Sequence, residues 1–258
     1  MMFIQNRHNQ KISVRVIENK KQKGLVFIEH GLTGSKDQPT IKEIEKAFFE
    51  IECTAVSFDA TNSIGESDGD VEKVTFTNHY SDLEDVIAWG KSQKWYREPF
   101  ALSGHSLGGM ATTIFSQKNP NKVNLLLPIS PATSGKHLEL AKKSTSDNSF
   151  YDEWRAKGYY DKTSKFNGKK VKVPFALQLD LYKYSVFDEI ENLKCPTYII
   201  SGDADTTTPI SFVREFYDAI NCEKKLEIVE NLPHTFYDKE NLENFAKALR
   251  KVLKKDTK

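Results

Sequence analysis

The chain holds 258 residues, enough for one large α/β domain with an insertion and a substantial core. Its 37 Lys plus Arg nearly balance 36 Asp plus Glu, so a net charge of +1 offers no global field for nucleic acid or an anionic membrane and suits a small, neutral substrate. Cys53, Cys195 and Cys222 are an odd set without metal-type spacing, which argues against a disulfide framework. Met1 to Ile4 is too short for a secretory h-region, and no segment approaches the roughly 18 apolar residues of a membrane span. The expectation is a soluble protein of the reduced cytoplasm.

In chain order, short apolar runs predict strands at Leu25 to Ile28, Ala55 to Phe58, Phe100 to Leu102, Asn124 to Ile129, Thr197 to Ile200 and Leu226 to Val229. Between them, apolar residues spaced three and four apart predict helices at Gln38 to Phe49, Asn78 to Lys94, Leu107 to Lys118, Pro209 to Ile220 and Lys239 to Lys254. Thr208 before Pro209 reads as a helix N-cap, and Asn119-Pro120 as a helix stop. This alternation predicts a mostly parallel sheet flanked by helices. The rhythm breaks at 132–192, which is charged, poorly periodic and rich in aromatics, among them Phe150, Tyr151, Trp154, Tyr160 and Phe187. We expect a core at 1–131 and 193–258, with 132–192 as an inserted lid subdomain over a pocket.

Gly104-His105-Ser106-Leu107-Gly108 follows a predicted strand and opens a predicted helix, the context of a nucleophile elbow. A serine hydroxyl needs a base to take its proton and a third group to orient that base. Only His137 and His234 follow Ser106, and His234 lies in the loop between the last strand and last helix, where a base is wanted. The acid belongs to Ser201-Gly202-Asp203-Ala204-Asp205, at the carboxyl end of the preceding strand. Asp203 suits turn amides, and Asp205 is modestly favoured to reach sideways toward His234. Amides of Leu107, at the helix start, and Leu32, in the loop after the first strand, are the candidate oxyanion donors. His30 and His105 read as structural donors near the site. Neither glycine cluster has phosphate-loop or dinucleotide order, and no histidine pair has metal-ligand spacing, so no cofactor and no metal are expected.

Gly-His-Ser-Leu-Gly-Gly at 104–109, His-Gly-Leu-Thr-Gly at 30–34, Gly-Asp-Ala-Asp-x-x-x-Pro at 202–209, Pro-His-Thr-Phe at 233–236 and Gly-Glu-Ser-Asp-Gly at 65–69 together resemble the α/β-hydrolase superfamily. The resemblance spans nearly the whole chain and implies that fold, with a catalytic acid at the aspartate three residues after Gly202, which is Asp205. Within the superfamily the opening, the elbow and the aromatic insertion look like bacterial cinnamoyl and feruloyl esterases, which use the insertion to shape a pocket for aryl acyl groups. Glu29 departs from the apolar residue usual before His-Gly, and its carboxylate is either solvated or alters the oxyanion loop's surroundings. The implied activity is a serine carboxylesterase on small acyl or aryl esters. The alternatives are a thioesterase or small-amide hydrolase using the same triad, and a non-catalytic small-molecule binder on the same fold. The expected partner is a small ester molecule, not nucleic acid or membrane; a homodimer is left open.

Overall fold

A computed structural model describes residues 2–147 and 149–254. Eight strands form the central sheet: β1 (Met2–Gln5), β2 (Lys11–Ile17), β3 (Gly24–Glu29), β4 (Cys53–Phe58), β5 (Phe100–His105), β6 (Val123–Ile129), β9 (Thr197–Gly202) and β10 (Lys224–Val229). Their spatial order is β1-β2-β4-β3-β5-β6-β9-β10. The pairs β1 with β2 and β2 with β4 are antiparallel, and every other pair is parallel. The six strands expected from apolar runs are all present, and β1 and β2 add an antiparallel edge.

Five helices cover this sheet: α1 (Pro39–Glu50), α2 (Phe76–Gly90), α3 (Leu107–Lys118), α7 (Ile210–Ala219) and α8 (Lys239–Leu253). Strand β3 shows why both faces must be covered. Leu25 and Phe27 enter one apolar cluster with Leu83 of α2, Met110 of α3 and Phe216 of α7. Val26 and Ile28, on the other face, enter a second cluster with Ile44 and Phe48 of α1 and Phe245 and Leu249 of α8. Helix α2 starts earlier than expected because Thr75 Oγ1 accepts the Asn78 amide, and it ends at Gly90 instead of Lys94. Thr208 does not cap α7: Pro209 holds the N-cap position, and the Thr208 hydroxyl turns toward Asp205.

Between β6 and β9 the chain forms α4 (Gly135–Thr145), α5 (Phe150–Lys157), the strands β7 (Tyr159–Thr163) and β8 (Lys170–Pro174), and α6 (Phe175–Leu181). Strands β7 and β8 pair antiparallel as a separate two-stranded sheet. Trp154 centres this segment, packing edge-on against Tyr160 and Phe175 and donating its indole N–H to the Val173 carbonyl at 3.0 Å. No helix among the described residues is long and apolar enough to cross a membrane.

Candidate active site

Strand β5 delivers Ser106 and helix α3 begins immediately after it, so the backbone must reverse within one residue. Ser106 does so at φ 57° and ψ −114°, a region that a side-chain-bearing residue occupies only when its surroundings enforce it. Two bonds anchor it there: its amide donates to the Ile129 carbonyl at 2.9 Å, and its carbonyl accepts the Ala132 amide at 3.0 Å. Close packing explains the flanking glycines. A Cβ on Gly108 would lie 2.4 Å from the Glu29 carbonyl oxygen, so only glycine lets the helix start approach the loop that follows β3.

Ser106 is 6% exposed, and its Oγ lies 2.9 Å from His234 Nε2. His234 Nδ1 lies 2.7 Å from Asp205 Oδ2. Because an ionised carboxylate only accepts, Nδ1 carries the proton and Nε2 is left to accept the serine proton. Asp205 is fixed in turn. Its Oδ1 accepts the Thr207 and Thr208 amides, each at 2.8 Å, and its Oδ2 accepts the Thr208 hydroxyl at 2.8 Å. Burial alone would raise this carboxyl, but His234 and the bonds from His234 and Thr208 outweigh it and hold the group below the usual carboxylate range.

The neighbouring histidines take supporting places. His105 donates from Nε2 to the His234 carbonyl at 2.9 Å, and burial followed by the nearby His234 pushes its pKa down to about 3, so the ring is neutral. His30 accepts the Ala60 amide at 3.0 Å and lies 2.7 Å from the Gly31 carbonyl, bracing the loop that carries Leu32. His137 is elsewhere, stacked on Phe212 and bonded to Thr133. Among the described residues Asp203 does not bond the amides of its own turn, which go to Asp205; its Oδ1 accepts the Asn231 amide of the loop after β10 at 2.6 Å.

Gly31, Leu32 and Leu107 line the same cavity as Ser106 and His234. A Cβ on Gly31 would sit 2.9 Å from Ser106 Cβ, which measures how tightly that loop is drawn over the serine. As the first residue of α3, Leu107 has an amide with no acceptor inside the helix. The cavity measures about 650 Å³; loop residues such as Gln38, Thr206 and Tyr237 line it too, and the segment between β6 and β9 adds an aromatic wall through Phe150, Tyr151, Trp154 and Tyr160. The other aromatics of that segment are used differently: Tyr184 packs on Phe76, Phe187 on Phe216, and Phe166 on Tyr237. Among the described residues no three His, Cys, Asp or Glu side chains are grouped to hold a metal ion.

Glu29 is not solvated, one of the two readings its sequence position allowed. It is fully buried, and burial, aided by Asp82, drives its carboxyl well above the ordinary carboxylate range. Thr208 was missed as part of the site. Its spacing from Asp205 was the available signal, because an aspartate three residues ahead of a threonine can gather both that residue's amide and its hydroxyl.

A family profile described as "Serine aminopeptidase, S33" matches residues 20–241. The chain belongs to this family of α/β hydrolases. Est1E of Butyrivibrio proteoclasticus, solved with ferulic acid bound, superposes on this S33 chain with a TM-score of 0.78 at 21% identity over 98% of each chain. Mouse alpha/beta hydrolase domain-containing protein 10 superposes with a TM-score of 0.76 at 17% identity, over 98% of this chain and 97% of its own. An uncharacterized 31.7 kDa protein from the traX-finO intergenic region of Escherichia coli is 22% identical over 88% of both chains. These likenesses carry the α/β-hydrolase fold.

Proposed function

We propose that the chain is a serine carboxylesterase acting on small acyl or aryl esters through an acyl-enzyme. The observation that carries this reading is the unbroken relay Ser106, His234, Asp205 with its serine end open to the cavity. Ser106 Oγ attacks the ester carbonyl while His234 takes its proton, and the tetrahedral oxyanion is held by the Leu32 and Leu107 amides. His234 then returns the proton to the departing alcohol, leaving the acyl group on Ser106. A water activated by His234 releases the acid, and Asp205 orients and stabilises the imidazolium in both halves. No step calls on a cofactor.

The segment 132–192 acts as a lid in this reading, its aromatic wall supplying flat apolar surface for an aryl or unsaturated acyl chain. The ferulic acid held by Est1E supports an aryl preference. The aminopeptidase in the family's description fits less well. A free substrate amino group calls for a carboxylate to receive it, yet Asp161 is the one acidic residue lining the cavity among the described residues, and it already pairs with Lys157 at 3.1 Å.

The test is turnover of 4-nitrophenyl esters graded from acetyl upward, with methyl hydroxycinnamates included, in the native chain and in Ser106→Ala. The native chain should hydrolyse them and label with a fluorophosphonate, and Ser106→Ala should do neither. Equal turnover by the two proteins would overturn the proposal. An unlabelled native chain would point instead to a binding protein.

A further inference from the structure

Four lysines of the segment between β6 and β9 have carboxylate partners among the described residues, one of them Lys172, which reaches Glu72 at 3.8 Å. Lys143 pairs with Glu139 at 2.6 Å, Lys157 with Asp161 at 3.1 Å, and Lys183 with Asp180 at 2.9 Å. Lys142, Lys162 and Lys165 differ. All three line the cavity that holds Ser106, and among the described residues none of them is paired with a carboxylate. They come from separate elements: Lys142 from α4, Lys162 from β7 and Lys165 from the turn after β7. Lys142 Nζ sits 4.5 Å over the Phe150 ring and 5.9 Å from the centre of Tyr160, so the aromatic wall holds a cation against it. Lys162 is two residues beyond Tyr160 on β7 and therefore shares its face, and both line the cavity.

Like charges around one cavity repel one another, and Lys142 and Lys162 are half-buried while Lys165 stays exposed at its rim. Without a protein counterion that arrangement is costly unless something negative enters. Burial, followed by the charges of Lys142 and Lys165, pulls the Lys162 amine down to about 8, the response expected of an ammonium lacking an anion. The near-zero net charge of the chain conceals this local excess, because Asp161 is the one carboxylate lining the cavity among the described residues and it pairs with Lys157.

Resting on the esterase reading, we infer that the substrate is an ester bearing an anionic group on its acyl portion, received by Lys142, Lys162 and Lys165 on the cavity wall while Ser106 attacks the ester carbonyl. The aromatic rings of Phe150 and Tyr160 then contact the carbon chain beside the anion. This departs from the neutral substrate suggested by composition.

The experiment compares two 4-nitrophenyl esters of equal length, the mono-ester of adipic acid and its methyl-capped neutral counterpart, with a phosphonate-ended analogue as a third arm. The native chain should show kcat/KM higher for the carboxylate ester by about tenfold or more, a preference that falls as salt screens the lysines. In Lys142→Gln/Lys162→Gln/Lys165→Gln the ratio of anionic to neutral turnover should fall to near one. Because the ratio is taken within each protein, a variant that folds poorly loses both rates and leaves the ratio readable. A phosphonate preferred over the carboxylate would identify a phosphate-bearing substrate as the source of the anion, and the reverse order a carboxylic acid. Equal turnover of charged and neutral esters by the native chain, or a preference that survives the triple substitution, would overturn the inference.

Calorimetry on Ser106→Ala separates this from failure of the esterase reading. Its ligands are adipic acid monoanilide and the methyl ester of that anilide, neither of which needs to react. Tighter binding of the anion, lost in the lysine variant, supports the anion site even if no ester is hydrolysed. Equal binding of the two refutes it even if neutral esters are turned over.

Discussion

Gly104 and Gly108 face each other across the nucleophile turn so closely that a Cβ on Gly104 would lie 2.3 Å from the Gly108 carbonyl carbon. Contact that short against backbone cannot be relieved by a rotamer change, so the end of β5 and the start of α3 would have to separate. Ser106 holds its φ of 57° only because those two elements are pinned together. Gly104→Ala should therefore lower kcat on a 4-nitrophenyl ester by at least about 100-fold, the loss expected when reacting groups shift by an ångström. Stopped assays together with circular dichroism check this, and a folded variant with native kcat would show that the turn tolerates the separation.

Asp205→Asn should lower kcat by about 10⁴-fold with little change in fold, the loss known for the corresponding change in serine proteases. The reason lies in the donors already aimed at this side chain. The Thr207 and Thr208 amides point at Oδ1, so an asparagine would place its carbonyl oxygen there and turn its NH₂ toward His234. Nδ1 would then have to accept, and Nε2 would carry the proton and could no longer take one from Ser106. Kinetics with imidazole-ring NMR would check both halves. A variant retaining the Nδ1–H tautomer would contradict the argument.

How far this site was readable from the sequence depends on how local each signal is. Ser106 and His234 were legible because an elbow and a loop before the last helix each have a fixed place in this chain order, whereas the loop after β9 offered Asp203 as well as Asp205 and only the α/β-hydrolase resemblance chose between them. Strands β3 to β6 announced themselves by being buried on both faces. Strand β2, Lys-Ile-Ser-Val-Arg-Val-Ile, hides its strand character behind charged residues because it lies near the sheet edge, and β7, Tyr-Tyr-Asp-Lys-Thr, and β8, Lys-Val-Lys-Val-Pro, carry charges because each pairs on one side only. Thr208 was read as a helix cap because a threonine before proline usually is one; only the tertiary approach of Asp205 and His234 reveals its other use. The Lys142, Lys162 and Lys165 group could not be seen at all, since lysines twenty residues apart share no pattern until the chain folds.

The lysine at position 36 supplies a stability test. Lys36 is fully buried, with Nζ 2.7 Å from Asp59 Oδ2 and 2.7 Å from Glu66 Oε2. Asp59 also accepts the Lys36 amide at 2.7 Å and the Glu66 amide at 2.9 Å, tying the Gly-Glu-Ser-Asp-Gly loop to the segment after the oxyanion loop. Lys36→Met removes the cation but leaves the Asp59 carboxylate enclosed, so unfolding free energy should fall by about 3–5 kcal/mol. Urea titration reads this directly, and a change below about 1 kcal/mol, the range of a surface pair, would mean that water reaches Asp59.

Glu29 and His79 supply the pH test, and their geometry sets its sign. Glu29 Oε1 lies 3.2 Å from His79 Nδ1, yet neither carboxyl oxygen of Glu29 makes a hydrogen bond within the described structure. Burial, then Asp82, raises the Glu29 carboxyl well above its ordinary value of 4.5, and burial, then His30, lowers His79 to about 3, so the fold favours the neutral form of each. In the unfolded chain Glu29 loses its proton above its ordinary value. The unfolded state therefore binds fewer protons than the native one as pH rises, and native stability falls. The Glu29 contribution is fully present below about pH 4.5 and is lost as pH climbs toward the raised native value. Glu29→Gln keeps the shape and the neutrality without that proton linkage. Its melting temperature should exceed that of the native chain at pH 8, and the gap should close as pH is lowered toward 4.5. His79 costs stability in the opposite direction, as pH falls below its ordinary 6.5, but it does so in both proteins and cancels from the comparison. Thermal melts across that range decide the matter: a native chain more stable than Glu29→Gln at pH 8 would mean that Glu29 is ionised and paired with a protonated His79.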